Sequence, residues 1–338
     1  MVAPAVVLLL SIGVAPAGAT PPHGTSSPVR TEPLHLYAGT DPAEPADGTV
    51  VDRTLVTADG LSRTYRLFVP EGLTGPAPLL VALHGGLGSG KQFEVSSGFN
   101  GLATANGFMV AYPDGVPRSP VGSAGARTWN AGKCCGPAVA QDVNDVAFLR
   151  AVVRDVEANH LVDRSRVYAV GHSNGGMMAL RLACEASGVF VAVGVQSASL
   201  EIPTCSPRRP VSLMQIHGTA DTNIPIAGGK GSGISGVTFS KPRKAAETLA
   251  RVDDCRARAQ RIRDTANPDV LMSRWRSCSA GTGVEFLAVE GASHAWMGHP
   301  SQGGESYTGA PYMKLDSSRA LWAFLAAHPR GQGRSLAD

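Results

Sequence analysis

Apolar residues along most of the chain fall into short continuous runs separated by stretches of helical spacing. Leu79-Leu80-Val81-Ala82-Leu83 and Phe108-Met109-Val110-Ala111-Tyr112 are unbroken apolar runs, closed by the turn residues His84-Gly85-Gly86 and Pro113-Asp114-Gly115. Strands buried on both faces of a parallel sheet read this way. Arg166–Val170, Val189–Val195, Val211–Ile216 and Val284–Val289 repeat the signal. Between them, Gln92–Asn106, Val143–His160, the stretch through Met177, Leu180 and Leu182, and Ser317–Ala327 space their apolar residues as helices do. Val50–Thr57 and Arg63–Val69 alternate around Ala58-Asp59-Gly60, which predicts a hairpin. Strands alternating with helices at this pitch predict a single α/β domain over residues 49–328. Its sheet should be mostly parallel, with helices on both faces.

The ends follow a different pattern. The first nineteen residues carry no charge, and Val6-Val7-Leu8-Leu9-Leu10 precedes the small residues Ala17-Gly18-Ala19. Residues 1–19 therefore read as a secretory signal peptide, although no Lys or Arg follows Met1. Residues 20–48 are rich in Pro, Thr, Ser and Ala and predict a disordered tether; residues 329–338 are expected to be a tail. The expected product is secreted, extracellular and monomeric. Net charge is +3, from 30 basic and 27 acidic residues, with no concentrated basic face to bind nucleic acid. The basic run Arg251, Arg256, Arg258, Arg261 and Arg263 reads as a solvated face. No later stretch is long and apolar enough to span a membrane.

Six cysteines in an exported chain predict disulfides. Proximity along the chain favours Cys184 with Cys205 and Cys255 with Cys278, leaving Cys134 and Cys135 as a vicinal pair or as free thiols. No CxxC or HExxH spacing occurs, so no metal and no cofactor is expected.

Chemistry concentrates in Gly171-His172-Ser173-Asn174-Gly175, a G-x-S-x-G between a predicted strand and a predicted helix. A serine in that turn has unusual backbone angles and projects its hydroxyl beyond the sheet edge. The helix N-terminus behind it offers a free N–H at Asn174 for an oxyanion. A nucleophilic serine needs a base and the base an orienting acid, in the chain order Ser, Asp or Glu, His. Asp221, after the strand Val211–Ile216, and His294, after Val284–Val289, stand where that order requires. Asp253, Asp254 and His299 are rivals in less suitable places. Gly86, with Leu87 as the alternative, is the expected second oxyanion donor. Trp129 and Trp296 are candidates for lining a substrate cleft, and Gly228–Gly236 is a flexible loop near Asp221. Gly85 to Lys91 imitates a phosphate-binding loop, but Gln92 stands where Ser or Thr would hold Mg²⁺.

Leu83-His84-Gly85, Tyr112-Pro113-Asp114-Gly115, Trp129 with Cys134-Cys135-Gly136, Asp142–Leu149, Gly171–Gly176, His217–Asp221 and His294-Ala295-Trp296 form a set. Together they resemble the secreted polyhydroxybutyrate-depolymerase/feruloyl-esterase-like family, over roughly Val50 to His328. The resemblance implies an α/β-hydrolase fold and ester hydrolysis by Ser173, His294 and Asp221, with the Gly86 amide completing the oxyanion hole. The implied substrates are short-chain, hydroxyalkanoate, feruloyl or acetyl-polysaccharide esters. Polyhydroxybutyrate depolymerisation, acyl transfer to a sugar and a non-enzymatic wall-associated role are the alternatives. No second, polymer-binding module is expected, so soluble short-chain or cinnamoyl-type esters are expected to be cut faster than crystalline polymer.

Overall fold

The chain first forms β1 (Val29–Glu32) and the hairpin of β2 (Gly48–Val56) with β3 (Ser62–Pro70). The first apolar run becomes β4 (Ala77–Leu83), buried throughout, followed by α1 (Gly90–Ser97), α2 (Phe99–Asn106) and β5 (Met109–Pro113). A ribbon of β6 (Val116–Pro117) and β7 (Arg127–Thr128) leads through α3 (Gly136–Ala140) to α4 (Asp145–Asn159). Then come β8 (Val162–His172), α5 (Asn174–Glu185), β9 (Ala192–Gln196) and β10 (Ser212–Gly218). A second ribbon, β11 (Gly229–Lys230) with β12 (Thr238–Phe239), precedes α6 (Arg243–Val252), β13 (Gln260–Asp264) and β14 (Val270–Trp275). β15 (Val284–Val289), α7 (Glu305–Thr308) and α8 (Ser317–Ala326) complete the order. This computed structural model describes residues 1, 29–34, 46–117, 126–233, 235–256, 258–301 and 304–331.

Eleven strands join in one sheet, in the order β1-β13-β14-β15-β10-β9-β8-β4-β5-β3-β2. The middle, from β15 to β5, is parallel, as continuous apolar runs require. Antiparallel pairings bring in β2 and β3 on one flank and β14 on the other. Alternation along β4 divides the core. Leu79, Val81 and Leu83 pack with α4, α5 and α6, while Leu80 and Ala82 face α1, α2 and α8. The sheet is therefore covered on both faces.

Several expectations change. Val29–Glu32, inside the expected tether, pairs in parallel with β13 as an edge strand, and Gly48 already belongs to β2. The proposed signal segment and most of the tether lie outside the described residues. At the other end, Arg330 is anchored: its amide donates to the Ser165 carbonyl and its guanidinium to Ser187 and Gly188. The stretch 92–106 is two helices, because Gly98 adopts φ 68° and turns the chain between them. The basic run spans two elements and is exposed or half-exposed throughout: Arg251 lies in the last turn of α6, while Arg261 and Arg263 lie within β13. Cys184 is bonded to Cys205, Cys255 to Cys278, and Cys134 to Cys135.

Candidate active site

β8 ends and α5 begins within two residues, and Ser173 occupies the corner at φ 54°, ψ −122°. Few residues other than glycine adopt such angles, and they persist only where neighbours hold them. The Ser173 amide donates to the Gln196 carbonyl at 3.0 Å, and its own carbonyl receives the Met177 amide at 2.9 Å. Glycine is required on both sides of the corner. A Cβ at Gly171 would overlap the Gly175 backbone, and one at Gly175 would overlap the carbonyls of Leu83 and His84.

Three parallel strands deliver Ser173 and its two partners to the same sheet edge. β8 ends before Ser173, Asp221 follows β10, and His294 follows β15. The Ser173 hydroxyl lies 3.0 Å from His294 Nε2, and His294 Nδ1–H donates to Asp221 Oδ2 at 2.8 Å. Asp221 Oδ1 accepts the amides of Asn223 and Ile224 at 3.0 and 2.9 Å. Burial alone would raise the Asp221 carboxyl, but His294, His217 and the Ile224 amide outweigh it and hold it below the usual carboxylate range. A carboxylate so held stays charged beside His294 and fixes the tautomer that leaves Nε2 free to accept a proton.

Two further histidines, visible in the sequence but given no role there, brace this row. His172 Nε2–H donates to the His294 carbonyl at 2.7 Å. Burial, reinforced by His294, pushes the His172 imidazole down to about 3, so it is a neutral prop at working pH. His217 Nε2–H donates to the Ile224 carbonyl at 2.8 Å, closing the turn that carries Asp221. Gln196 adds a third brace that no sequence motif marks. Its amide donates to the Ala295 carbonyl at 2.8 Å and its carbonyl accepts the Met297 amide at 3.1 Å.

The turn after β4 faces Ser173. A Cβ at Gly85 would lie 3.4 Å from Ser173 Cβ, and one at Gly86 3.7 Å from Asn174 Cβ. The Gly115 amide donates to His84 Nε2 at 3.0 Å, which leaves Nδ1 protonated to donate to the Gly85 carbonyl at 2.7 Å. Because C=O and N–H point oppositely across a trans peptide, tying down the Gly85 carbonyl turns the Gly86 amide the other way. The Leu87 amide is spent on the Arg127 carbonyl at 2.9 Å, so of the two candidates it is Gly86 whose amide has no acceptor among the described residues. Gly85 to Gly88, the start of the phosphate-loop lookalike, line the cavity at Ser173.

Trp129 is not in the cleft. It is fully buried, its indole N–H donates to the His84 carbonyl at 3.0 Å, and its ring packs on His84 at 5.0 Å. The Asn174 side chain clasps its backbone, accepting from the Trp129 amide at 2.7 Å and donating to its carbonyl at 3.1 Å. Trp129 thus supports the site from behind, a role that residue type alone could not separate from substrate stacking. Trp296 does line the cavity, with its indole N–H held by Ser318 Oγ at 3.0 Å. Gly233 and Ser235, within the Gly228–Gly236 loop, line a neighbouring cavity. Asp253, Asp254 and His299 stand apart from this row; His299 pairs with Asp316 at 3.2 Å. Among the described residues there is no cluster of three or more His, Cys, Asp or Glu side chains able to hold a metal.

Residues 63–227 match the model of a family described as esterase PHB depolymerase. NocK of Nocardia uniformis subsp. tsuyamanensis, named as an esterase, is 31% identical over 330 residues, covering 91% of this chain and 93% of NocK. The chain belongs to the esterase PHB depolymerase family. Feruloyl esterase B of Piromyces equi is 30% identical over 235 residues, which cover 67% of this chain and 41% of that enzyme. Among solved structures, an acetyl xylan esterase from Aspergillus awamori superposes with a TM-score of 0.53 at 16% identity, over 72% of this chain and 94% of its own. This last likeness concerns the fold, which is that of an α/β-hydrolase. The family member described here is a carboxylic ester hydrolase.

Proposed function

We propose that this esterase is an exported, monomeric serine hydrolase in which Ser173 is the nucleophile, His294 its base and Asp221 the orienting acid. The observation that carries the reading is the unbroken row from Ser173 Oγ through His294 to Asp221, at 3.0 and 2.8 Å. Ser173 Oγ attacks the ester carbonyl while His294 Nε2 takes its proton. The amides of Gly86 and Asn174 receive the oxyanion, where fixed dipoles need no rearrangement as charge develops. The tetrahedral centre collapses, the C–O ester bond breaks, and His294 gives the proton to the leaving alcohol. Water, deprotonated by His294, then releases the acid and restores Ser173. The matched relatives are named for feruloyl esters and poly(3-hydroxyalkanoate), and this chain is assigned short-chain, hydroxyalkanoate, feruloyl or acetyl-polysaccharide esters. Disulfides support an oxidising compartment outside the cytosol.

Ser173→Ala tests the nucleophile. Turnover of p-nitrophenyl acetate should fall by about 10⁴-fold or more, and a fluorophosphonate should no longer label the protein. Retained labelling moves the nucleophile elsewhere. A panel of p-nitrophenyl acetate, methyl ferulate, acetylated xylan and polyhydroxybutyrate film, compared per labelled site, tests the substrate assignment. Clearance of film faster than methyl ferulate hydrolysis would make depolymerisation the first reading.

A further inference from the structure

Two cavities meet at Ser173, with His294 and Tyr307 lining both. The larger, of about 430 Å³, is walled by Met177, Ile224, Phe239 and the Cys134–Cys135 pair. The smaller, of about 200 Å³, runs beside Trp296 and presents Gln92, Ser96, Ser301 and Thr308. Among the described residues, neither is lined by Asp, Glu, Lys or Arg, so each suits an uncharged group.

The chemistry distinguishes the two. A carbon attached to Ser173 Oγ carries three other substituents in the tetrahedral state: the oxyanion, the leaving oxygen and the acyl chain. The oxyanion is directed at the amides of Gly86 and Asn174. The leaving oxygen has to lie against His294 Nε2, which supplies its proton. The smaller cavity continues on that side, along Ala295 and Trp296, the residues that follow His294. The larger one continues along Asn174 and Met177, the first turn of the helix behind Ser173. Both walls mix polar and apolar groups, with Asn223 and Ser235 also lining the larger lobe and Phe93 the smaller, so the side on which each continues from Ser173 and His294, and the larger volume open to a chain, assign them.

We propose, resting on Ser173 as nucleophile and His294 as base, that the acyl group occupies the lobe of Met177, Ile224 and Phe239 and the alcohol the lobe of Gln92, Ser96 and Trp296. Phe239 then determines the acyl group accepted, and Ser96 the alcohol. Neither residue is hydrogen-bonded to the side chains of the Ser173–His294–Asp221 row. Phe239 sits on the short ribbon over the larger lobe, and Ser96 on α1 at the rim of the smaller.

Two ester series separate the lobes: p-nitrophenyl esters of acids from acetate to hexanoate, and acetate esters of alcohols from methanol to benzyl alcohol. Phe239→Ala, with Phe239→Leu as a variant that keeps an apolar side chain should the first fail to fold, enlarges the acyl lobe. It should change the hexanoate-to-acetate ratio of kcat/KM by about tenfold or more and leave the alcohol series within about twofold. Ser96→Trp should do the reverse, lowering benzyl against methyl esters while the acyl ratio holds. The opposite pattern, Phe239 governing the alcohol and Ser96 the acid, overturns the assignment, as does a uniform change in both series. Fluorophosphonate labelling of each variant at Ser173 reads the nucleophile separately. Labelling at Ser173 with exchanged selectivity sinks the lobe assignment alone, while labelling at another residue sinks the nucleophile and this inference with it.

Discussion

One strand, β10, carries a buried aspartate at each end, and the two have opposite chemistries. Asp221 follows its C-terminal end and spends both oxygens, one on two backbone amides and the other on His294. Asp253 reaches its N-terminal end from the close of α6. Its Oδ2 accepts the Val211 amide at 3.1 Å, and its Oδ1 is buried with no hydrogen bond within 3.5 Å among the described residues. Burial therefore dominates at Asp253 and raises its carboxyl to about 6, despite opposing contributions from Thr282 and Val211, whereas Asp221 is held below the usual range. Burial is common to both; the number and charge of the donors decides. Around a parallel sheet, the C-terminal edge gathers the loops and helix N-termini that can hold a charge ready for chemistry, and the opposite edge does not.

The largest expected effect is at the first of these ends. Asp221→Asn keeps the shape but exchanges an acceptor for an amide that can donate to His294, favouring the wrong tautomer. On this reading kcat should fall by about 10³- to 10⁴-fold with KM little changed. The measurement is steady-state hydrolysis of p-nitrophenyl acetate. Comparable damage from Asp253→Asn in place of Asp221→Asn would transfer the acid's role to the other end of β10.

Asp253 should instead be read in stability, and the pH dependences of the two carboxyls run in opposite directions. Asp221, lowered on folding, contributes stability above its unfolded pKa and loses it as pH falls through the folded value. Asp253, raised on folding to about 6, binds its proton more tightly in the native state; its favourable contribution is present at low pH and lost as pH rises from about 4 through about 6. Asp253→Asn removes the charge while an amide oxygen still accepts from Val211. The variant should be more stable than wild type at pH 8 by about 1–3 kcal/mol and no more stable at pH 4. Urea unfolding at the two pH values checks this, and an equal difference at both would mean that ionisation of Asp253 is not the cause. Hydrolysis at pH 8 should stay within about twofold.

The same contrast shows what the sequence made legible. Asp221 and His294 are legible as candidates because their strands are continuous apolar runs, and a chain order of Ser, Asp, His then points to one residue after each. The far flank gives no such signal. β13 reads Gln260-Arg261-Ile262-Arg263-Asp264, with one aliphatic residue in five, so its pattern is that of a charged segment until β1 and β14 are seen on either side. The apolar stripe of α6 is chiefly alanine, a residue whose small side chain marks a buried face weakly. Trp129 and Trp296 look alike in sequence, and only the packing around His84 shows that one is a support and the other part of a cavity wall. His84, His172 and Gln196 act through backbone carbonyls and amides of distant loops, partners that no local spacing announces.

The smallest effect is expected beside Asp253. Asp254 is exposed at φ 51°, a left-handed conformation that Asn adopts as readily as Asp, and its amide donates to the Arg251 carbonyl at 3.3 Å irrespective of the side chain. Asp254→Asn removes one solvated charge and neither a buried group nor a backbone bond. Stability should stay within about 0.5 kcal/mol of wild type at both pH 4 and pH 8, with kcat unchanged. The comparison is sharp because Asp253 and Asp254 are neighbours in the chain and lose the same charge on substitution. A pH-dependent gain at Asp253 without one at Asp254 would assign the effect to the buried position. Equal gains at both would show that loss of a negative charge at this turn, whether buried or solvated, is the cause. In that case the carboxyl at the N-terminal end of β10 would be an ordinary surface acid, and the difference between the two ends would reduce to the donors around Asp221.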